Sequence, residues 1–245
     1  VYEFIIYMLK RKMILTVHDP FPHTGLDTRI VRLRRKVAFR CVPHFIILNK
    51  AQRETFLSFY RLPSSAVIDS RLSCYTYLNM VEPDMTTVPE QKYILFAGKI
   101  SKYKGVEYLL EAMKKVHETF PDIKLVVAGG GKYHFDISGY AALPYIDIRN
   151  RFIPDEELVA LMKKTQFMVC PYTDATQSGV IMSSFTFGTP VIATRVGGLP
   201  EMLGNGKYGM LVKEKDTDAL YLGISSLLSD EEQLADYRRE IAKDY

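Results

Sequence analysis

From residue 93 onward, the chain alternates short apolar runs with stretches of helical periodicity. The run at 93–97 is closed by Gly98, and a helix is predicted to begin near Asp155. Further apolar runs lie at 123–128, 145–148, 167–170 and 190–193. Because buried strands that alternate with helices are typical of a parallel sheet covered on both faces, the sequence predicts an α/β fold with a doubly wound, Rossmann-like parallel sheet.

Residues 1–90 are interpreted as part of a separate α/β unit. Apolar runs at 13–17 and 45–48 predict strands, and the periodicity then fades between 61 and 91, where three prolines interrupt the chain. We therefore place the domains at 1–90 and 91–245. Because Val1 stands inside an apolar pattern, we expect the first domain to be partial, without its upstream part.

Two local signals mark the ends of elements. The spacing of Ser229 and Glu232 fits a capping box and predicts a final helix. Three consecutive glycines at 129–131 follow an apolar run, but they lack the spacing of a phosphate-binding loop, and we interpret them as a turn that ends a strand.

Composition limits the class of protein. The chain is 47% hydrophobic and 24% charged, which is usual for a globular protein and excludes a disordered or collagen-like chain. No apolar run approaches the roughly 18 residues of a membrane span, and the run at 4–9 precedes the basic triplet at 10–12, the reverse of a signal peptide. The three cysteines form no CxxC pair and the five histidines no HExxH motif. We expect a cytoplasmic protein with reduced thiols and no metal site.

Charge is distributed unevenly along the chain. Residues 1–53 contain eleven Lys and Arg against three acids, a balance of +8, whereas the remainder carries −4. Residues 29–40 place Ile30, Leu33 and Val37 on one helical stripe, surrounded by Arg29, Arg32, Arg35, Lys36 and Arg40. Such a stretch fits the surface of an anionic membrane. Nucleic acid is a poorer partner because no stacking platform or recognition motif accompanies the charge, and a solvated helix stays the alternative.

Two loops that lead from a strand into a helix are candidates for binding an anion. The first, residues 96–105, contains Gly98 for a close turn and the basic residues Lys99 and Lys104; its alternative interpretation is a solvated basic turn. The second, residues 171–180, starts a helix with small and donor-rich residues, and its alternative interpretation is a capped helix: Gln177, Ser178, Gly179 and Val180.

A third loop follows the apolar run at 190–193. It contains the double glycine Gly197-Gly198 and then Glu201 at the start of a predicted helix. Glycines without side chains would let the ring of a ligand approach the main chain here.

In these loops the sequence resembles the family 4 glycosyltransferases, which are retaining enzymes with the two-domain GT-B fold. Residues 96–105 resemble the loop that binds the donor diphosphate, with Lys99 in the place of the usual Arg and Lys104 in the place of the usual Lys. Residues 150–162 and 188–201 resemble further segments of the nucleotide-sugar domain, the latter lining the donor pocket. His18 resembles the histidine of the first domain that faces the cleft, which implies a catalytic role.

One departure from the family pattern concerns two glutamates that hold the donor sugar and the ribose. Their places are taken by Ala175 and Ser183. The run Gln177 to Val180 is similar to the helix start of one branch of the same family, so Ser183 stays among the expected substrate-binding residues.

The resemblance implies transfer of a sugar, with retention, from a nucleoside-diphosphate sugar to a glycan or lipid-linked acceptor in the synthesis of cell-surface polysaccharide. It implies no cofactor and no catalytic metal. With the basic stretch at 29–40, it implies a cytoplasmic protein that lies peripherally on the inner face of the membrane. Two alternatives stay open: a non-catalytic nucleotide-sugar-binding homologue, favoured by the absent glutamates, and another GT-B enzyme such as a nucleotide-sugar epimerase.

Overall fold

A computed structural model describes residues 13–21 and 29–245 of the 245-residue chain. The apolar run at 4–9, the basic triplet at 10–12 and His23 lie outside the described residues. The strands are β1 Ile14–Val17, β2 His44–Ile47, β3 Val67–Asp69, β4 Tyr93–Ala97, β5 Lys124–Ala128, β6 Ile146–Arg149, β7 Met168–Cys170, β8 Val191–Thr194 and β9 Gly209–Val212. The helices are α1 Arg29–Cys41, α2 Arg53–Tyr60, α3 Val106–Thr119, α4 Ser138–Ala141, α5 Asp155–Lys164, α6 Gly179–Thr186, α7 Leu199–Met202, α8 Thr217–Ser229 and α9 Glu231–Asp244.

The described part of the first domain is a parallel sheet in the order β1-β2-β3. Its core gathers Phe39 of α1, Phe45 and Ile47 of β2, and Phe56 of α2. Strand β3 was not predicted, because it has three residues of which only Val67 is buried, too few to produce a periodic signal. The chain then passes through two 3₁₀ turns, Thr76–Met80 and Met85–Thr87, before β4.

The second domain is a six-stranded, entirely parallel sheet in the order β6-β5-β4-β7-β8-β9. The predicted doubly wound α/β fold is therefore confirmed, and the strand order is that of dinucleotide-binding folds. Winding reverses between β4 and β7, so the loops that follow these two strands diverge and leave a crevice between them. Ligands of open α/β sheets bind in such a crevice.

The capping-box prediction for the last helix is wrong by one residue. Asp230 is the N-cap, and its carboxylate accepts a hydrogen bond from the Gln233 N–H at 2.8 Å. Ser229 is instead the last residue of α8, and its hydroxyl donates to the Ser225 carbonyl within that helix. A carboxylate at the N-cap also interacts favourably with the helix dipole, which explains why Asp230 takes this position.

Asn49 and Glu201 join the two domains. Asn49 is 3% exposed, and its amide donates to the Thr176 carbonyl at 2.7 Å while its own carbonyl oxygen accepts from the Ala51 N–H at 2.9 Å. Glu201 accepts hydrogen bonds from the main-chain N–H groups of Lys50 and Ala51 at 3.0 and 3.3 Å. The turn that starts α2 is thus capped by its own asparagine and by a carboxylate of the other domain.

Replacing Asn49 with Ala is expected to lower the free energy of unfolding by about 1–3 kcal/mol, because the Thr176 carbonyl would stay buried without a donor. Urea unfolding followed by circular dichroism measures the change. Asn79→Ala, at an exposed position in a 3₁₀ turn, is the matched control. Equal midpoints for the two variants would contradict a structural role for the Asn49 amide.

Candidate active site

A cavity of about 550 Å³ lies between the two domains, at the carboxyl ends of β1, β4 and β7. It is lined by His18, Asp19, Leu72, Tyr75, Tyr103, Lys104, Gln177, Ser178, Gly179, Val180 and Ser183. Seven of the predicted site residues therefore meet in one place, although they come from three separate segments of the chain. Gly98, Lys99, Gly197, Gly198 and Glu201 are the predicted site residues that do not line it.

Lys104 is a buried cation in this cavity. Its side chain belongs to a residue that is only 8% exposed, and its Nζ lies 3.7 Å from the centroid of the Tyr172 ring and 5.3 Å from that of Tyr103. No carboxylate among the described residues forms an ion pair with it. Burial lowers the pKa of Lys104 to about 8, which still leaves the amine protonated at neutral pH. The aromatic faces beside it favour this charged form.

Gly105 explains how Lys104 reaches this position. Gly105 has φ +61°, and a Cβ at this residue would lie 2.1 Å from the carbonyl oxygen of Pro171. The Thr173 N–H donates to the Tyr103 carbonyl at 2.7 Å. The loops after β4 and β7 are therefore joined main chain to main chain, which directs Lys104 towards the residues that follow β7.

The start of α6 provides the second half of the site. Ser178 is the N-cap, but its hydroxyl makes no capping hydrogen bond and instead lies 3.2 Å from the Tyr172 hydroxyl. The first turn of this eight-residue helix, from Gly179, is thus left without a side-chain cap. Helix N-termini attract anions through their N–H groups and dipole. Lys104 and α6 direct positive potential into the same cavity.

Tyr75 covers this helix start from the segment that connects the domains. A Cβ added to Gly179 would lie 2.8 Å from the Tyr75 hydroxyl oxygen. Glycine at this position therefore permits the tyrosine to approach the main chain of α6 closely.

His18 and Gln177 meet across the gap between the domains. The Gln177 Nε2 lies 2.9 Å from the His18 Nδ1. An amide nitrogen can only donate, so in this orientation neutral His18 carries its proton on Nε2. The Gln177 Oε1 is buried and has no hydrogen-bond partner among the described residues, which leaves one strong acceptor available beside the cavity.

The two positions of the usual glutamates carry no charge towards the cavity. The Ser183 hydroxyl donates to the Gly179 carbonyl at 3.1 Å within α6, and Ala175 is buried. Neither position therefore offers a carboxylate to a ligand at the start of α6.

Lys99 and Gly98 lie beside the cavity without lining it. Lys99 is exposed, whereas Lys104 is buried, so the structure separates the two lysines that the sequence treats as a pair. Gly98 has φ +122°, and a Cβ there would lie 3.3 Å from the side chain of Val180. Its role is to let the β4 loop pass close to α6.

The double glycine at 197–198 packs against the protein itself. A Cβ at Gly197 would lie 1.5 Å from the Ala175 carbonyl oxygen, and one at Gly198 would lie 2.3 Å from both the Thr176 oxygen and the Asn49 amide. The space beside each glycine is filled by the loop after β7 and by Asn49, but Gly198 and Glu201 line another cavity, of about 500 Å³, so the expected approach of a ligand ring stays a prediction. Glu201 contacts the first domain through the main-chain N–H groups of Lys50 and Ala51, as described above.

Three tyrosines of the cavity and its wall were missed by sequence reasoning: Tyr75, Tyr103 and Tyr172. Tyr172 is fully buried, and one sign of it was visible in the sequence, since a large amphipathic side chain directly after a buried strand often has a polar partner.

The described residues contain no cluster of His, Cys, Asp and Glu that could hold a metal ion. Likewise, none of the helices in the described ranges is long and apolar enough to cross a membrane.

The sequence is similar to known glycosyltransferases. The model of the glycosyl transferases group 1 family matches residues 83–244. An uncharacterized glycosyltransferase of Methanocaldococcus jannaschii is 28% identical over 199 residues, which are 76% of this chain and 50% of that protein. A D-inositol 3-phosphate glycosyltransferase of Corynebacterium urealyticum is 31% identical over 167 residues, 63% of this chain and 39% of that protein. The chain thus spans half or less of the length of these relatives.

Solved structures share the fold at low sequence identity. The Anabaena protein HepE, in complex with UDP and glucose, superposes with a TM-score of 0.80 at 15% identity, covering 98% of this chain and 68% of that one. The sucrose-phosphate synthase of Thermosynechococcus elongatus gives a TM-score of 0.74 at 20% identity, covering 98% and 66%. Because the family model covers well over half of the sequence and the solved neighbours have the same two-sheet architecture, the chain belongs to the group 1 glycosyltransferases of GT-B fold.

Proposed function

We propose that the cavity binds a nucleoside-diphosphate sugar and that the protein transfers the sugar, with retention and without a metal ion, to a glycan or lipid-linked acceptor in cell-surface polysaccharide synthesis. One observation carries the proposal. A buried ammonium without a carboxylate partner among the described residues faces the same cavity as the uncapped start of an eight-residue helix. A diphosphate supplies the missing negative charge for both.

The expected energies are sufficient for specific binding. A charge-assisted hydrogen bond from Lys104 contributes about 1.5–3 kcal/mol. The N–H groups of Gly179 and Val180 add the attraction of the helix dipole, about 0.3–1 kcal/mol for each charge near it and more where the site is partly buried. Together these contacts favour an anion over a neutral sugar by about one to three orders of magnitude.

The sugar is expected to extend from the diphosphate towards His18 and Gln177. The unpaired Gln177 Oε1 can accept a hydrogen bond from a sugar hydroxyl, and His18 can donate from Nε2 to an oxygen of the donor or of the acceptor. Both residues contact each other only when the two domains face one another. Transfer therefore requires the first domain, which supplies the acceptor side of the cleft.

A nucleotide-sugar-binding protein without transfer activity is the second candidate. The positions of the two family glutamates, Ala175 and Ser183, offer no carboxylate to the donor. Screening UDP-, GDP-, ADP- and CMP-sugars by thermal shift, followed by an assay for donor turnover, distinguishes the two. A donor at 100 times its dissociation constant should stabilise the protein by about 2.7 kcal/mol. UDP-glucose is the first choice, because HepE has been solved with it.

Replacing Lys104 with Ala should weaken binding of the preferred nucleoside diphosphate at least tenfold, because the site loses its buried cation. Isothermal titration calorimetry measures the effect. Lys102→Ala, which removes an exposed lysine of the same turn, is the matched control and should bind like the wild type. Unchanged affinity in Lys104→Ala would remove Lys104 from the donor site.

The affinity for the same nucleoside diphosphate should fall as the pH rises through about 8. The bound diphosphate holds the Lys104 ammonium, whereas in the free protein the pKa is lowered to about 8, so binding above this pH requires uptake of a proton. The loss should approach about tenfold per pH unit. Calorimetry from pH 7 to 9.5 measures it; a flat profile in the wild type, or an equal slope in Lys104→Ala, would contradict the role of this amine.

We further propose that the enzyme works in the cytoplasm and that α1 docks it on the anionic inner face of a membrane. Ile30, Leu33 and Val37 are exposed along one side of α1, and the exposed Phe59 of α2 extends the apolar surface. A shallow depression between these helices is lined by Arg32, Lys36, Arg40 and Arg61 in addition to Leu33, Phe59 and Tyr60. Exposed apolar side chains surrounded by basic residues are typical of a surface that binds lipid headgroups, because the cations attract the anionic headgroups and the apolar groups leave water.

Vesicles containing anionic lipid should sediment the wild-type protein at low salt but not near 0.5 M salt, since each basic residue contributes at most about 1 kcal/mol and salt screens the attraction. The double variant Lys36→Glu, Arg40→Glu should lose most of this binding. The charge-matched control Lys132→Glu, Lys164→Glu changes exposed lysines of the other domain and should retain it. Equal binding to neutral and anionic vesicles would leave α1 as a solvated helix.

A further inference from the structure

We propose that Tyr172 is a positioning residue for both halves of the donor anion site: its ring holds the Lys104 ammonium, and its hydroxyl holds the Ser178 hydroxyl away from the first turn of α6. This inference rests on the proposed function, because it assigns a task to Tyr172 within the same cavity.

The ring of Tyr172 lies against the Lys104 ammonium. Tyr172 is completely buried, and the Lys104 Nζ lies 3.7 Å from its centroid, closer than to the ring of Tyr103. The rings of Tyr103 and Tyr172 stand edge to face, with centroids 6.5 Å apart. An ammonium this close to a desolvated aromatic face is stabilised in its charged form. The ring therefore keeps the cation available in a place where burial disfavours charge.

The titratable groups around Lys104 offer no competing explanation. The Cys170 thiol of β7 interacts electrostatically with Lys104, but burial raises the pKa of this thiol to about 11, and burial also raises the pKa of the Tyr172 hydroxyl well above its ordinary value. Both are thus neutral at physiological pH. The other titratable groups that line the cavity are His18, Asp19, Tyr75 and Tyr103, and none of them is an ion-pair partner of Lys104.

The hydroxyl of Tyr172 pairs with the N-cap serine of α6. Serine at an N-cap ordinarily accepts a hydrogen bond from the second or third N–H of its helix. Ser178 makes no such bond, and its oxygen lies 3.2 Å from the Tyr172 oxygen. The Tyr172 hydroxyl thereby leaves the first N–H groups of α6 open to a phosphate. Without it, the serine would turn and cap its own helix, in competition with the ligand.

Two substitutions separate the two roles. Tyr172→Phe keeps the ring and removes the hydroxyl; Tyr172→Leu removes both, and Tyr172→Met repeats that test with a longer side chain should the leucine variant fail to fold. The first readout is the pKa of Lys104, measured by NMR on protein with ¹³C-labelled lysine and without nucleotide. We expect no change in Tyr172→Phe and a fall of about one unit in Tyr172→Leu. An unchanged or higher pKa in the folded leucine and methionine variants would overturn the role of the ring.

The second readout is the affinity for UDP, GDP and ADP by calorimetry. Tyr172→Phe should weaken binding by about threefold to tenfold at every pH, the range expected for one competing hydrogen bond. Adding Ser178→Ala should restore the loss, because no hydroxyl is left to cap α6. If the double variant binds no better than Tyr172→Phe, the role of the hydroxyl is refuted. If none of the nucleotides binds the wild type while the NMR pKa shifts as expected, the proposed function fails and the role of the ring stands.

Discussion

The close approach of two loops at the point where the sheet reverses its winding underlies every feature of the site. Gly105 lets the loop after β4 touch the carbonyl of Pro171, and the Thr173 N–H closes the contact on Tyr103. A residue with a Cβ in place of Gly105 would separate these main chains. Lys104 would then move away from the start of α6, and one anion could not contact both. The chemistry of the cavity thus depends on a contact made largely by the main chain, outside the groups that face the ligand.

The strands that the sequence predicted are continuous apolar runs, which need no partner to be recognised; β4 and β5 are buried on both faces, whereas β1 was predicted although only Val17 in it is buried. Strands β3 and β9 escaped prediction. The first has a single buried residue, and the second begins with Gly209 and exposes part of its surface at the sheet edge. The hydrophobic pattern of the sequence predicts a strand poorly where the strand forms mainly because it pairs with a neighbouring strand.

Much of the site could also be predicted, although its internal order could not. Residues 177–180 and Lys104 were expected at a strand-to-helix transition, and they do line one cavity. The sequence could not separate Lys99 from Lys104, because burial of the latter depends on residues about seventy positions later. It could not foresee that the double glycine at 197–198 is packed against Asn49 and Thr176, since a glycine that admits a ligand and one that admits another loop look the same.

The contact of Glu201 with the turn that starts α2 determines how that helix is capped when the two domains are in contact. Two main-chain N–H groups of one domain are satisfied by a carboxylate of the other, while Asn49 satisfies one of them from within. Opening the domains would exchange the glutamate for water and separate the Asn49 amide from the Thr176 carbonyl, but it would leave the hydrogen bond from the Ala51 N–H to the Asn49 side chain in place. The start of α2 therefore keeps one cap whether or not the two domains are in contact, and substrate exchange need not unfold this helix.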